Sequence, residues 1–393
     1  MTASLRHLLP PAAAAVVLGA AAGSFQPAAA QESDIQLPST VAWTAYDVGS
    51  AGYSQAVAIG NALKNRLNVN LRVLPGKNDI SRMVPLREDR VHFSAMGLAT
   101  YFAQEGVFEF AAPDWGPQPI RMLLISNPAA TLSIGTAKDA NIETLRDLKG
   151  KRVAWVVGAP ALNENISALL TFAGLTWDDV ERVEFGGFGA AWEGLVNNQA
   201  DAAWASTTSG MAYQLESSPR GLHWPPVPHD DEEGWARLRE IAPYFYPNNG
   251  TVGAGLSEEN PHEGASYPYP ILIAYEGQDP DLVYNMTKAM VEFFDDYEDG
   301  APGADGWALD RQIWEWVVPF HEGAIRYFQE TGAWDDEKQA HNDRLIERQR
   351  VLQQAWDDFT AQTDATGEEF QQAWMKARAE ALNDAGFDPV WTG

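Results

Sequence analysis

The sequence predicts an α/β fold in two lobes, each a mostly parallel sheet flanked by helices, with a helical extension at the C-terminus. Three observations carry this reading. Residues 41–96 alternate apolar runs of strand length with amphipathic runs of helix length, the same alternation restarts near residue 142, and beyond Asp281 the apolar residues recur only at helical spacing. A chain of 393 residues is also long enough for two domains of ordinary size, roughly 100–200 residues each.

In order, Val41 to Tyr46 (VAWTAY) reads as a strand. The turn Asp47-Val48-Gly49-Ser50-Ala51-Gly52 leads into a helix with Val57, Gly60, Leu63 and Leu67 along one face. Leu71 to Leu74 is a second strand, the loop from Pro75 to Asp79 opens a short helix with Met83, Leu86 and Arg87, and Val91 to Met96 is a third strand. Apolar stretches at Ile120 to Ser126 and Pro270 to Tyr275 are expected to be the two crossings between lobes. They place residues 31–125 with 271–334 in lobe 1 and 126–270 in lobe 2.

Lobe 2 is expected to hold a short helix at Ile142 to Leu148 ending at Gly150, and a strand at Arg152 to Val157. A helix with Ile166, Leu169, Leu170 and Ala173 on one face then stops at Gly174. Val183 to Phe185, a helix through Trp192, Leu195 and Val196, and the strand Ala202 to Ala205 complete it. Leu282, Met286, Ala289, Met290 and Phe293 then share a helix face. In the extension, residues 335–393, the runs Leu345, Leu352, Trp356, Phe359 and Phe370, Trp374, Ala377, Ala381 mark two amphipathic helices. They are too short in heptads for a coiled coil and are expected to pack on the body or on each other.

The first thirty residues have the form of an export signal: Arg6 and His7, an apolar run from Leu8 to Gly23, and Ala28-Ala29-Ala30 as a cleavage site. A periplasmic location is therefore expected. With 54 acidic against 27 basic residues the chain carries a formal charge of −27, which repels nucleic acid and anionic lipid. The chain contains no cysteine, which excludes disulfides, thiolate metal sites and a Cys nucleophile.

Binding chemistry is expected at the turns from strand to helix. There, helix N-termini present unpaired N–H groups and a partial positive charge to small anions or carboxylates. Gly49-Ser50-Ala51-Gly52-Tyr53-Ser54 is such a turn. Equivalents follow at Gly76-Lys77-Asn78-Asp79, at Gly97, at Gly158 to Asn163 and at Ser206 to Gly210. Their recurrence in both halves predicts two loop-lined faces meeting across a cleft. Lys77 and Arg82 sit near these turns, but a solvated place is the expectation for each, and Trp155 and Trp204 are expected to fill the core of lobe 2.

The chain resembles the TAXI family, extracytoplasmic solute-binding subunits of TRAP transporters, over most of Val41 to Trp334. The resemblance rests on IGNAL (Ile59 to Leu63), LRDLKGKRVAWVVGAP (Leu145 to Pro160), LLTFAGLTWDDV (Leu169 to Val180), NQADAAWAS (Asn198 to Ser206), DLVYNMTKAMVEFF (Asp281 to Phe294) and PFHEGAIRYFQETGAW (Pro319 to Trp334) in shared order. It implies a periplasmic-binding-protein clamshell of type II form, acting as a monomer without a cofactor. Such a protein would capture an organic acid or amino acid, a carboxylate-bearing solute, and hand it to a TRAP-type permease driven by an ion gradient. It nominates as ligand-binding Gly49, Ser50, Tyr53, Ser54, Asn78, Gly97, Ala159 and Asn163, with Ser206 and Thr207 beside them. Two departures stand out: the first loop lacks a Thr-Tyr pair, and Ala161-Leu162-Asn163 replaces a longer Gly-Ser-Gly-Thr segment. Fewer donors there imply a less polar solute than the family's usual dicarboxylates.

A secreted enzyme is the competing class, and a binding protein for an ATP-driven importer the nearer one. The histidines show no His-Glu-x-x-His spacing, no Gly-x-Ser-x-Gly turn appears, and no Gly-Lys-Ser/Thr phosphate loop is present. His229-Asp230-Asp231-Glu232-Glu233 reads as a solvated acidic loop rather than a cation site.

Overall fold

The computed structural model describes residues 34–392, and the export signal expected over residues 1–30 lies outside them. The chain runs through β1 (Thr40–Tyr46), α1 (Ala51–Leu67), β2 (Asn70–Gly76), α2 (Asp79–Arg87), β3 (Phe93–Met96), α3 (Ala99–Glu105) and β4 (Ile120–Ile125). It continues through β5 (Leu132–Ala137), β6 (Arg152–Val156), α4 (Pro160–Phe172), β7 (Glu181–Phe185), α5 (Phe188–Val196), β8 (Ala202–Ser206) and α6 (Gly210–Glu216). Next come β9 (Leu222–His223), α7 (Glu232–Ile241), β10 (Tyr246–Gly250) and β11 (His262–Ser266). The last stretch holds β12 (Ile271–Tyr275), α8 (Pro280–Glu292), α9 (Glu322–Glu330), α10 (Asp336–Thr360) and α11 (Gly367–Asp384).

The strands form two five-stranded sheets, ordered β2-β1-β3-β12-β4 and β7-β6-β8-β5-β9, with β10 and β11 as a separate antiparallel pair. We call each sheet with its helices a lobe. In lobe 1, β1 runs parallel to β2 and β3, and β12 is antiparallel to both β3 and β4. In lobe 2, β6 is parallel to β7 and β8, and β5 is antiparallel to β8 and β9. Each sheet is thus parallel but for one reversed strand, which is the first strand to enter it from the other lobe. β4 and the inner part of β12 are apolar at nearly every position, because helices cover both faces of the sheet.

Of the stretches expected as crossings, Ile120 to Ser126 and Pro270 to Tyr275, the apolar parts Ile120–Ile125 and Ile271–Tyr275 are neighbouring strands of one sheet, and the end residues Ser126 and Pro270 stand where the chain leaves and re-enters it. The chain crosses beside them. Ser126 N–H donates to Pro270 O, and Tyr269 N–H donates to Ser126 O, both at 2.8 Å, so the two crossing segments hold each other.

The first helix corrects the sequence in a detail. Val57 is 40% exposed, and the buried face is Ala56, Ile59, Ala62 and Leu63. Small residues carry this contact because the helix lies close on the sheet. A Cβ on Gly60 would stand 3.1 Å from Leu71 Cβ. Ser50 caps the helix through its hydroxyl, which accepts from Tyr53 N–H, and Asn68 ends it in the left-handed conformation at φ 57°. The expected helix at Ile142 to Leu148 shrinks to a 3-10 turn, Leu145–Leu148, capped by Thr144 and Asp147.

The extension packs on lobe 1 and on itself. Trp356, Phe370 and Trp374 cluster with Ala111, and the Trp374 indole donates to Gly106 O. Beneath them Glu105, the last residue of α3, accepts both nitrogens of a fork from Arg348 and a further bond from Arg378. Past α11, Trp391 packs tilted against Tyr101 and edge-on against Phe102, and its indole reaches lobe 2 at Ile241 O, 3.2 Å away. No helix among the described residues is long and apolar enough to cross a membrane.

Candidate functional site

The C-terminal ends of β1, β3 and β8 face one another across the lobes, as the topology of open α/β sheets demands. Between them lies a cavity of about 30 Å3. Lobe 1 contributes Tyr46, Ser50, Arg82, Gly97, Leu98 and Tyr269, and lobe 2 contributes Leu132, Ala161, Leu162, Phe188, Trp204, Ser206, Ser209 and Tyr267. At about 10–15 Å3 per water, this is room for on the order of two waters. The cavity as it stands therefore admits a solute of only a few heavy atoms.

Arg82 is fully buried, contrary to the solvated place expected for it. Its guanidinium lies 3.5 Å from the centre of the Tyr46 ring, donates through Nη1 to Ala95 O, and pairs through Nη2 with Asp79. Nε has no hydrogen-bond partner in the protein. Burial works against the charge, but Tyr46 and Asp79 more than offset it, and the guanidinium pKa is raised. Asp79, also fully buried, accepts from the Tyr46 hydroxyl at 2.6 Å on the oxygen that pairs with Arg82. Its other oxygen accepts from Ala161 N–H of lobe 2 at 2.9 Å.

That last bond has a local cause. Pro160 opens α4 and has no N–H, while Leu162 and Asn163 N–H return to Ala159 O. Ala161 N–H is left as the orphan donor at the helix start, and a carboxylate is the partner the helix dipole favours. The remaining turns are filled in the same way. Phe188 N–H bonds Lys77 O, Gly189 N–H bonds Asp47, Met211 N–H and the Ser209 hydroxyl both bond Gly49 O, and Asn78 Nδ2 bonds Val157 O. At α1 the Tyr269 hydroxyl lies against Gly52 N–H and Ser50. Donors at the starts of α2, α4, α5 and α6 thus bond the opposite lobe.

Of the residues singled out from the sequence, Ser50, Gly97 and Ser206 line the cavity. Gly49 and Asn78 bridge the lobes outside it. Tyr53 faces a surface groove between α1 and β2, and Ser54 lies within α1, its N–H bonded to Ser50 O. Ala159 caps α4 and is fully buried. Asn163 spends its amide on both backbone groups of Val156, and Thr207 donates to Val252 O. These last four are built into the framework rather than the cavity wall.

Tyr46, Phe188, Tyr267 and Tyr269 are cavity walls that no sequence motif marks, and Arg82 is buried beside them. Tyr46 ends β1, Tyr267 and Tyr269 lie on the crossing before β12, and Phe188 opens α5, all places where an aromatic residue reads as core. Trp204 is core and cavity wall at once. Trp155 is only half-buried, on the outer side against Trp177 and Arg182. Among the described residues no group of three or more His, Cys, Asp or Glu is placed to hold a metal ion.

Behind the cavity, Glu109 of lobe 1 and Glu164 of α4 are each pushed up to about 7, chiefly by burial. Asp79 adds to the first and Glu109 to the second. A carboxyl raised in the fold favours folding while protonated. Its contribution is whole below the ordinary value near 4.5 and is lost as pH rises through about 7. Stability should fall between pH 5 and pH 7.5, and the double variant E109Q/E164Q should show a smaller fall in urea denaturation. An equal fall in both proteins would take these carboxyls out of the account.

Among solved structures, the alkanesulfonate-binding protein of Xanthomonas axonopodis pv. citri is 15% identical at a TM-score of 0.43, covering 83% of this chain and 94% of that one. An ancestral arginine-binding protein is 15% identical at 0.41, covering 67% and 99%. An amino acid ABC transporter substrate-binding protein from Streptococcus pneumoniae is 13% identical at 0.38, covering 68% and 94%. A family model matches residues 44–332, a span that holds every strand of both sheets but the start of β1, and every wall of the cavity, and the chain accordingly belongs to the NMT1-like family.

Proposed function

We propose that the protein is an extracytoplasmic receptor that closes its two lobes on a small solute and delivers it to a membrane permease. The observation that carries this is the cavity at the strand ends, walled from both lobes. A hinge pivoting at Ser126 and Pro270 opens it, and solute contacts from both sides favour closure. The resemblance to TAXI proteins supports a TRAP-type permease, driven by an ion gradient, as the partner. Uptake by the reconstituted pair should collapse with the ion gradient and persist without ATP; dependence on ATP would assign the receptor to an ATP-driven importer.

Binding itself is tested at Gly97. A Cβ there would stand 2.8 Å from Tyr269 Cδ2 and drive that ring into the cavity. Gly97→Ala should weaken a solute found by thermal-shift screening about tenfold or more, roughly 1.4 kcal/mol, by calorimetry. Gly277→Ala, where a Cβ meets nothing within 4 Å, should bind as the parent does. Equal affinity in all three would remove this cavity from the binding function.

A further inference from the structure

The geometry points to a solute with no net charge, selected because the receptor supplies the site's one carboxylate itself, from Asp79. This inference rests on the receptor reading above. Among the described residues that line the cavity, Arg82 is the sole charged side chain, and Asp79 matches its charge from behind. Ser50, Ser206 and Ser209 and the tyrosine rings add only neutral groups. A solute carboxylate would enter as a buried charge without a partner, because the guanidinium is already paired and the N-terminus of α4 already holds Asp79.

The anion-binding features expected from the sequence are therefore present but occupied in cis. Ala161 N–H, the donor that would meet a solute carboxylate, meets a carboxylate of lobe 1. Among the described residues that line the cavity, one buried donor stays open, Arg82 Nε. It fits an uncharged acceptor such as an amide or hydroxyl oxygen, and the Leu132, Leu162, Phe188 and Trp204 walls fit a short apolar body. Asp79 is a positioning residue in this scheme: it acts through Arg82 and through α4, and it sets which charge the cavity tolerates.

The test uses three probes of one shape, propionamide, propionate and propylammonium, with affinities read by ligand-observed NMR on the full exported chain. The parent protein should bind propionamide at least tenfold more tightly than propionate. Asp79→Asn leaves Arg82 unmatched, and the order should invert in favour of propionate. The double variant D79N/R82Q, again without net charge, should return to propionamide. Where D79N alone does not fold, Arg82→Gln leaves Asp79 unmatched and should prefer propylammonium.

Tenfold tighter binding of propionate by the parent would overturn the uncharged-solute inference and leave the receptor reading standing. An order that does not move among the variants would overturn the role of Asp79. Binding of none of the three by the parent or any variant would overturn the cavity as a solute site, and the receptor reading with it.

Discussion

Replacing Glu105 with glutamine should cost about 3–5 kcal/mol of stability and release the C-terminal extension from lobe 1. Glu105 and Arg378 are wholly buried and Arg348 nearly so, and the one carboxylate serves both guanidinium groups. Arg348 approaches it with Nε at 2.7 Å and Nη2 at 2.8 Å, the paired geometry that makes such bonds strong. Arg378 also donates to the Glu105 carbonyl and to Pro389 O and Trp391 O, so the final turn of chain hangs on the same group. Glutamine keeps the shape and one acceptor but strands two buried charges.

The pH dependence is a second mark of the same cluster. Burial pushes the Glu105 carboxyl up, but the bonds and charges of Arg348 and Arg378 outweigh it, and the folded pKa is lowered. A lowered carboxyl stabilises the fold above its unfolded value near 4.5 and ceases to do so as pH falls through the folded value. The deficit of E105Q should therefore be full at pH 7 and shrink in acid. Urea denaturation and trypsin cleavage within α11 measure it. A deficit under about 1 kcal/mol at pH 7, with α11 still protected, would contradict this arrangement.

Trp192→Ala should cost a similar amount, about 3–5 kcal/mol, and should also weaken solute binding. Trp192 is fully buried in lobe 2 between Phe188 and Trp224, and its indole donates to Trp204 O at 3.0 Å. β5 makes room for it with Gly135, where a Cβ would stand 2.6 Å from the ring. Removing the indole opens a void behind Phe188 and Trp204, two walls of the cavity, and leaves a buried carbonyl without its donor. Trp155→Ala, on the half-buried outer side, should cost less than half as much and leave affinity intact. Equal losses in the two variants, or unchanged affinity in W192A, would separate this core from the site.

Strand-and-helix order was legible because both lobes obey simple periodicity from β1 to β3 and from β6 to β8. β5, and β9 to β11, were not. Leu132–Ala137 carries a serine, a glycine and a threonine that only the packing of Trp192 and its partners makes sense of, and β10 and β11 are too polar for a strand pattern. The strand-to-helix turns were legible, since helix starts and glycines are local signals. Which groups those turns bond was not, because no local signal tells that Asp79 will cap α4, 82 positions further along the chain. Arg82 was misjudged for the same reason: a lone arginine reads as solvated until its partners, Tyr46 and Asp79, are brought to it.

The hinge-and-capture account is tested most directly by the distance between the lobes. The chain has no cysteine, so Asn65→Cys on α1 and Glu193→Cys on α5, both exposed, give two unique sites for spin labels. Pulsed dipolar spectroscopy should show a distance distribution that shifts to its shorter part and narrows when a bound solute is added. An unchanged distribution, with a solute that calorimetry shows to be bound, would contradict capture by closure of the two lobes.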